Sequence, residues 1–83
     1  MKVRLKGVKK AVITGGYIKL DALLKYVSLA STGGEAKLMV SDGNVSVNGD
    51  VCTQRGRKVR PGDIVRCGEY RVIVGAAPER NGR

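Results

Sequence analysis

The apolar residues that follow position 19 repeat with the period of an α-helix, and this is the strongest constraint on the fold. Positions i, i+3, i+4 and i+7 of one stripe are occupied by Leu20, Leu23, Leu24 and Val27. Such a stripe predicts an amphipathic helix with one face in the core, here over about residues 19–29. Asp21 near its start suits the positive end of the helix dipole.

A second helix is predicted almost immediately after the first. Thr32 and Glu35 have the spacing of a capping box, in which each side chain satisfies a backbone N–H group at the helix start. The buried stripe of this helix is expected to consist of Ala36, Met39 and Val40. Gly43 is a natural left-handed stop. Only two or three residues join the two helices, so they must pack as a tight hairpin or corner.

Both ends of the chain show the period of β-strands. Residues 1–6 alternate apolar and basic side chains, Gly7 interrupts them, and residues 11–14 are a candidate second strand. Later, Asn48-Gly49 is a hairpin signal between strands 45–47 and 50–53, and Pro61-Gly62 suits a type II turn. Residues 64–65 and 70–74 are predicted closing strands. We therefore expect an α+β fold, with a two-helix corner packed against a small, mainly antiparallel β-sheet.

The length of 83 residues allows one domain with a modest core. Residues 1–75 are the expected domain, and residues 76–83, which are polar and basic, are the expected flexible tail. Phe and Trp are absent, so the core must consist of Val, Leu, Ile and Ala. Cys52 and Cys67 are expected to be small buried apolar side chains in a reducing cytoplasm.

The absence of histidine limits the chemistry that the chain can perform. No Ser-His or Cys-His pair is possible, and the usual general base is missing. Two cysteines alone cannot complete a four-ligand zinc site. We therefore expect no catalysis, no cofactor and no metal. The sequence has neither a membrane-length apolar run nor a leader-like start, so a cytoplasmic location without membrane contact is expected.

The charge is strongly positive, with 16 Lys and Arg against seven Asp and Glu and a net charge of +9. Such a surface attracts polyanions, of which nucleic acid is the commonest in the cytoplasm. A merely solubilising basic surface is the alternative. An anionic membrane is disfavoured, because no segment pairs a basic face with a large apolar face.

The start of the second helix is the first candidate binding site, and we call its members Thr32, Gly33, Gly34 and Lys37 the helix-start group. Two consecutive glycines leave the first-turn N–H groups unshielded, and these donors and the helix dipole favour phosphate. Lys37, off the buried stripe, could reach the same anion. The alternative is that the glycines only permit a tight turn.

The second candidate is the basic loop, residues 54–60, which contains the cations Arg55, Arg57, Lys58 and Arg60. Four cations within six positions repel one another unless a polyanion lies against them. The planar guanidinium of arginine favours phosphate oxygens and base edges. A solvated loop is the alternative.

One motif runs through the second helix, the hairpin and the late turn. It consists of Thr32, Ala36, Met39, Val40, Gly43, Val45, Val47, Asn48 and Gly49, then Val59 and Gly62-Asp63-Ile64-Val65. This motif closely resembles that of the RNA-binding domain named after ribosomal protein S-four, the αL motif. That family's pattern is a small polar residue, an Ala four positions later, two apolar residues, then Gly-x-Val-x-Val-Asn-Gly and a closing Gly-Asp-x-Val. The resemblance covers about residues 20–74.

The resemblance implies that two packed helices and the following loop present a basic surface to structured RNA. It also implies a small stand-alone bacterial member, monomeric, with ribosomal RNA as the favoured ligand. The expected partner is the ribosome or a pre-ribosomal particle, in ribosome assembly or translation. The chain departs from the family pattern at Gly33 and Gly34, where many members have arginines, and at Leu38. Backbone N–H groups and Lys37 must then replace arginine contacts at the helix start. The basic loop is therefore expected to supply most of the side-chain contacts to RNA.

Two other functions are compatible with parts of this pattern. Ubiquitin-like sulfur carriers share a Val-Asn-Gly hairpin and a late Gly-Asp-x-Val turn, but they act through a terminal diglycine, whereas this sequence ends in Asn81-Gly82-Arg83. Two early helices joined by a tight turn also fit that fold poorly. A protein-interaction module for an acidic partner is the remaining alternative, which binding assays with RNA and acidic peptides would separate.

Overall fold

The computed structural model describes residues 7–77. Within this range the chain forms two helices and seven strands. In chain order they are β1 (Gly7–Ile13), β2 (Ile18–Lys19), α1 (Leu20–Tyr26), α2 (Gly33–Ser41), β3 (Val45–Val47), β4 (Asp50–Val51), β5 (Lys58–Val59), β6 (Ile64–Cys67) and β7 (Tyr70–Ala76). Neither helix has the length and apolar character that crossing a membrane requires.

Five of the strands form the main sheet, in the order β1-β7-β6-β3-β4. β1 runs parallel to β7, whereas the other neighbouring strands are antiparallel. β2 and β5 form a separate two-stranded antiparallel sheet. The expected α+β class with a mainly antiparallel sheet is therefore confirmed for residues 7–77.

One buried cluster joins the two helices to one face of the main sheet. The helices contribute Leu20, Leu23, Leu24, Ala36 and Val40, and the sheet contributes Ala11, Ile13, Val45, Val47, Val65, Cys67, Val72 and Val74. Each fully buried Leu or Val stabilises the fold by about 1.5–3 kcal/mol. Cys52 and Cys67 are both buried and free, as expected, and burial raises the pKa of the Cys67 thiol.

α1 is shorter than the sequence predicts, because the chain turns left-handed at Ser28, where φ is 65°. The N–H of Leu29 donates to the carbonyl of Leu24 at 2.9 Å, and that of Ser28 to Lys25 at 3.0 Å. This bond pair is the Schellman motif, here with serine where glycine is usual. The link between the helices is therefore six residues, 27–32, and the predicted link of two or three was wrong.

α2 begins and ends as predicted. The hydroxyl of Thr32 accepts a hydrogen bond from the N–H of Glu35 at 3.0 Å, which completes half of the capping box. The Glu35 carboxylate accepts from the N–H of Ser31 at 2.6 Å, one residue before the expected partner. At the other end Gly43, with φ of 80°, forms a second Schellman motif through bonds from Gly43 to Val40 and from Asn44 to Met39.

Three predicted boundaries need correction. Gly7 lies in β1 itself, which also includes most of the predicted strand 11–14; the predicted strand 1–6 lies outside the described residues. A Cβ at Gly7 would lie 3.4 Å from the ring of Tyr70, which is an ordinary van der Waals contact. β4 ends at Val51 instead of residue 53. The expected tail begins late, since β7 reaches Ala76 and Ala77 donates to the carbonyl of Ile13; residues 78–83 are not described.

A candidate nucleic-acid interface

The backbone of the basic loop is fixed to the start of α1. The carbonyl of Arg57 accepts from the N–H of Leu20 at 2.9 Å, and the carbonyl of Arg55 accepts from Asp21 at 3.1 Å. These bonds satisfy two of the N–H groups that a helix start leaves without intrahelical partners. The loop is therefore a cap for α1, but through main-chain atoms, so the side chains of both arginines remain exposed.

The loop predicted over residues 54–60 includes a short strand, so the prediction was wrong for Lys58 and Val59. The N–H of Arg57 donates to the carbonyl of Gln54 at 3.1 Å, which closes a turn around Gly56. Lys58 and Val59 then form β5 and pair with β2. Val59 is completely buried, and it anchors the end of the loop while its charged neighbours stay exposed.

Sequence reasoning missed two residues that this pairing adds to the cluster. Lys58 lies directly opposite Lys19, so two cations share one face of the β2–β5 sheet. The ammonium of Lys58 lies 4.9 Å from the centre of the Tyr17 ring, a cation–π contact. Tyr17 is 45% exposed. The exposed cluster therefore contains an aromatic ring as well as cations, and aromatic rings are the side chains on which RNA bases stack.

Asp63 holds the far end of the basic loop. Its carboxylate accepts from the N–H of Arg60 at 2.9 Å and from the amide of Asn48 at 3.1 Å. The Arg60 N–H holds the pKa of Asp63 below its ordinary value, aided by Asn48 and the positive charge of Arg57, while partial burial acts in the opposite direction. The carbonyl oxygen of the Asn48 side chain accepts from Ile64 at 2.9 Å.

These bonds give the Val-Asn-Gly and Gly-Asp-x-Val motifs a structural role. Asn48 and Gly49 form the β3–β4 turn with positive φ angles of 52° and 92°. Pro61 and Gly62 form the predicted type II turn, closed by a 3.0 Å bond from Asp63 to Arg60. The Asn48–Asp63 contact joins the two turns and so fixes the position of the basic loop.

The helix-start group is exposed, and its glycines are not required by the packing. Gly33 and Gly34 occupy the first two positions of α2 without positive φ angles. A Cβ at Gly33 would meet nothing within 4 Å, and one at Gly34 only the Thr32 hydroxyl at 3.9 Å. A tight turn therefore does not explain them. Lys37 lies one helical turn later, on the side of the helix that the glycines share.

One feature of α2 opposes phosphate at this position. The Glu35 carboxylate is hydrogen-bonded to the N–H of Ser31, so a negative charge already lies beside the helix start. The Thr32 hydroxyl occupies the N–H of Glu35. The donors left for an anion are those of Gly33 and Gly34, which makes this the weaker half of the candidate interface.

The two groups flank α1. The basic loop caps the first residues of the helix, and Ala30, two residues before Thr32, donates to the Leu24 carbonyl at its other end. A seven-residue helix is roughly 10 Å long, so one RNA ligand that touched both groups would extend along α1. Among residues 7–77 no group of three His, Cys, Asp or Glu side chains could hold a metal ion.

The fold is that of a small α+β domain, and the cations of its basic loop stand on a backbone that α1 and β2 hold in place. Comparison with known proteins identifies which family it is. The family model described as the S4 domain matches residues 11–75, so the chain belongs to the S4 domain family, an RNA-binding family. Over 51 residues the chain is 39% identical to the small ribosomal subunit protein uS4 of Novosphingobium aromaticivorans. The match covers 61% of this chain and 25% of that protein, so the chain spans only about a quarter of the relative.

Proposed function

We propose that this chain binds structured RNA without catalysing a reaction, and that the basic loop is the principal contact. The observation that carries the proposal is the combination of exposed cations on a backbone fixed by α1 and β2. Pre-ordered cations lose little conformational entropy on binding, which favours them over a free loop. Lys19 and Tyr17 extend the contact, with Tyr17 available to stack on an unpaired base.

The helix-start group is proposed as a second contact. Its support is the exposure of Gly33 and Gly34 at the positive end of α2 and the position of Lys37 one turn later. Because the two groups flank α1, we propose that α1 and α2 form the helical corner of the αL motif and that RNA runs along it. The Glu35 carboxylate leaves this contact weaker than that of the basic loop.

The identity of the RNA is proposed from the relative alone. Protein uS4 is, by name, a component of the small ribosomal subunit, and its similarity to this chain favours ribosomal RNA as the ligand. A monomeric protein acting on the ribosome or a pre-ribosomal particle in the cytoplasm fits this ligand. A single domain from residue 1 to at least Ala77, with a basic tail after it, is also part of the proposal.

A salt titration with a ribosomal RNA hairpin tests the proposal. Each neutralised phosphate contributes roughly 0.7–0.9 to the slope of log affinity against log salt, so three to five contacts give a slope of about −2 to −4. We expect this slope with the full chain. ¹⁵N chemical shifts should change at residues 54–60 and 32–37. Affinity that does not depend on salt, or shifts that leave residues 54–60 unaffected, would contradict the proposal.

A further inference from the structure

The main sheet has a second face, which the helices do not cover. Buried side chains from β1, β3, β6 and β7 all point to the helices, so the alternate residues of these strands point the other way. We call this second side the outer face. Its aliphatic members are Val8, Val12, Val51, Ile64 and Ile73. Four of them are large exposed hydrophobic residues, with Val51 66% and Val8 55% exposed.

The charges of the outer face all have one sign. The described strands place Lys10, Arg66 and Arg71 there and no carboxylate. Arg66 and Arg71 are direct cross-strand partners on β6 and β7. Like charges in this position repel each other, which costs stability unless an anion lies between them.

The Arg71 guanidinium adds an independent sign of a missing partner. Its Nε atom is buried, yet it has no hydrogen-bond partner among the described residues. A buried donor without a partner destabilises the fold, since it has lost its hydrogen bond to water. Arg66, Arg71 and Ile64 line an open concavity of about 390 Å³ with the Asn48–Gly49 turn. A carboxylate entering it would meet two guanidinium groups and one aliphatic wall.

The side chains of the outer face favour a protein over RNA as its ligand. RNA binds sheet surfaces by stacking bases on aromatic rings, and the outer face of the described strands has none. Aliphatic side chains gain by burial against other apolar side chains, and arginine is enriched in protein interfaces. The apolar and cationic residues together therefore fit an amphipathic segment with acidic flanks.

Neither a second copy of this chain nor its own terminal residues suit the outer face as an occupant. Residues 1–6 contain three cations and no carboxylate, and residues 78–83 contain two cations and one carboxylate. A second copy, with a net charge of +9, would place like charges together. An acidic partner has the complementary charge.

We propose that the outer face docks an acidic amphipathic helix of a partner protein. Its apolar stripe lies on Val8, Val12, Ile64 and Ile73, and its carboxylates reach Arg66 and Arg71. A helix there would complete a third layer, since the other face of the sheet already packs against α1 and α2. The surface is separate from the basic loop, so RNA and this partner bind at the same time.

The test uses the ¹⁵N-labelled full chain and a synthetic 18-residue helix of Glu and Leu, with Leu at i, i+3, i+4 and i+7. We expect shifts at outer-face residues of β1, β6 and β7, which persist when the RNA hairpin is present. Arg66→Ala with Arg71→Ala should weaken peptide binding tenfold or more and leave RNA affinity unchanged. The matched pair Arg55→Ala with Arg57→Ala removes the same charge. It should weaken RNA affinity and leave peptide binding unchanged.

Several results would overturn the proposal. A peptide of the same composition with scattered Leu that binds equally well would show attraction by charge alone. RNA binding that is lost with Arg66 and Arg71 would make the outer face an RNA surface. Arg71→Gln alone and Val12→Thr with Ile64→Thr serve as milder variants. Each should weaken peptide binding at least threefold. If peptide affinity is unchanged in both, the peptide does not bind at the outer face.

Discussion

Replacing Arg55, Arg57 and Lys58 by alanine separates binding from folding at the basic loop. The bonds that fix this loop to α1 come from the carbonyls of Arg55 and Arg57, which alanine retains. Besides the weak surface attraction of Arg57 for the Asp63 carboxylate, the contact that is lost is the cation–π pair of Lys58 and Tyr17, worth about 0.5 kcal/mol at an exposed site. For a domain of this size that corresponds to a fall in Tm of about 2–4 °C. The variant also removes the repulsion between Lys19 and Lys58, so the observed fall in Tm should be smaller than this.

Binding should change far more than stability. Loss of three phosphate contacts should weaken RNA affinity tenfold or more, and each tenfold loss corresponds to about 1.4 kcal/mol. The salt slope should also become shallower by about 2–3, because each contact contributes roughly 0.7–0.9. The measurements are a thermal melt and RNA titrations at two salt concentrations.

A matched triple variant controls for net charge. Lys9, Lys10 and Arg66 to alanine removes the same three charges and also one cation–π pair, since Lys9 lies 5.6 Å from the centre of the Tyr70 ring. This variant should keep the salt slope of the parent within one contact. If both triple variants lose affinity equally, the binding reflects overall charge and the argument for the basic loop fails. A basic-loop variant that unfolds would show that its side chains, and not only its carbonyls, support α1.

Three further predictions follow from individual contacts. Gly34→Asp should preserve or raise Tm, because an aspartate at a helix start stabilises the helix by about 0.3–1 kcal/mol. In RNA titrations it should lower affinity, whereas Gly34→Ala should not. Equal affinities of the two variants would limit the glycines to a local backbone role. Asp63→Asn should cost about 1–2 kcal/mol of unfolding free energy at pH 7, through loss of charge-assisted hydrogen bonds. The folded-state pKa of Asp63 is lowered, so this stability is complete above the ordinary pKa and is lost as pH falls through the folded value, and urea unfolding of parent and variant should converge in acid. Ser28→Gly should raise Tm by about 4–8 °C, since a left-handed serine costs roughly 1 kcal/mol; no rise in a melt would show that this strain is absent.

Local signals made the helix ends and turns predictable. The Thr32 cap, Gly43 and the Asn48-Gly49 turn each depend on neighbours within a few positions, and the structure confirms them, while the Glu35 carboxylate bonds one residue earlier than expected. The end of α1 was not predictable, because Ser28 adopts a conformation that serine rarely takes and no glycine marks it.

The site was predictable in composition but not in arrangement. All eight predicted residues are exposed, yet their contact with RNA stays a prediction. Lys19 and Tyr17 were missed because their link to Lys58 depends on the pairing of two short strands far apart in the sequence. The outer face was missed for a related reason, since Arg66 and Arg71 become neighbours only when β6 and β7 are in register.

The order of the main sheet determines when it can be completed. β1 is the first described strand, but its neighbour in the sheet is β7, the last one. A nascent chain can form both helices and the β3–β6 pair before residue 70 is made, while β1 has to wait without a partner. Contacts so distant in sequence slow folding. Loss of the chain beyond residue 69 would therefore remove β7 and leave β1 without its one neighbour among the described strands.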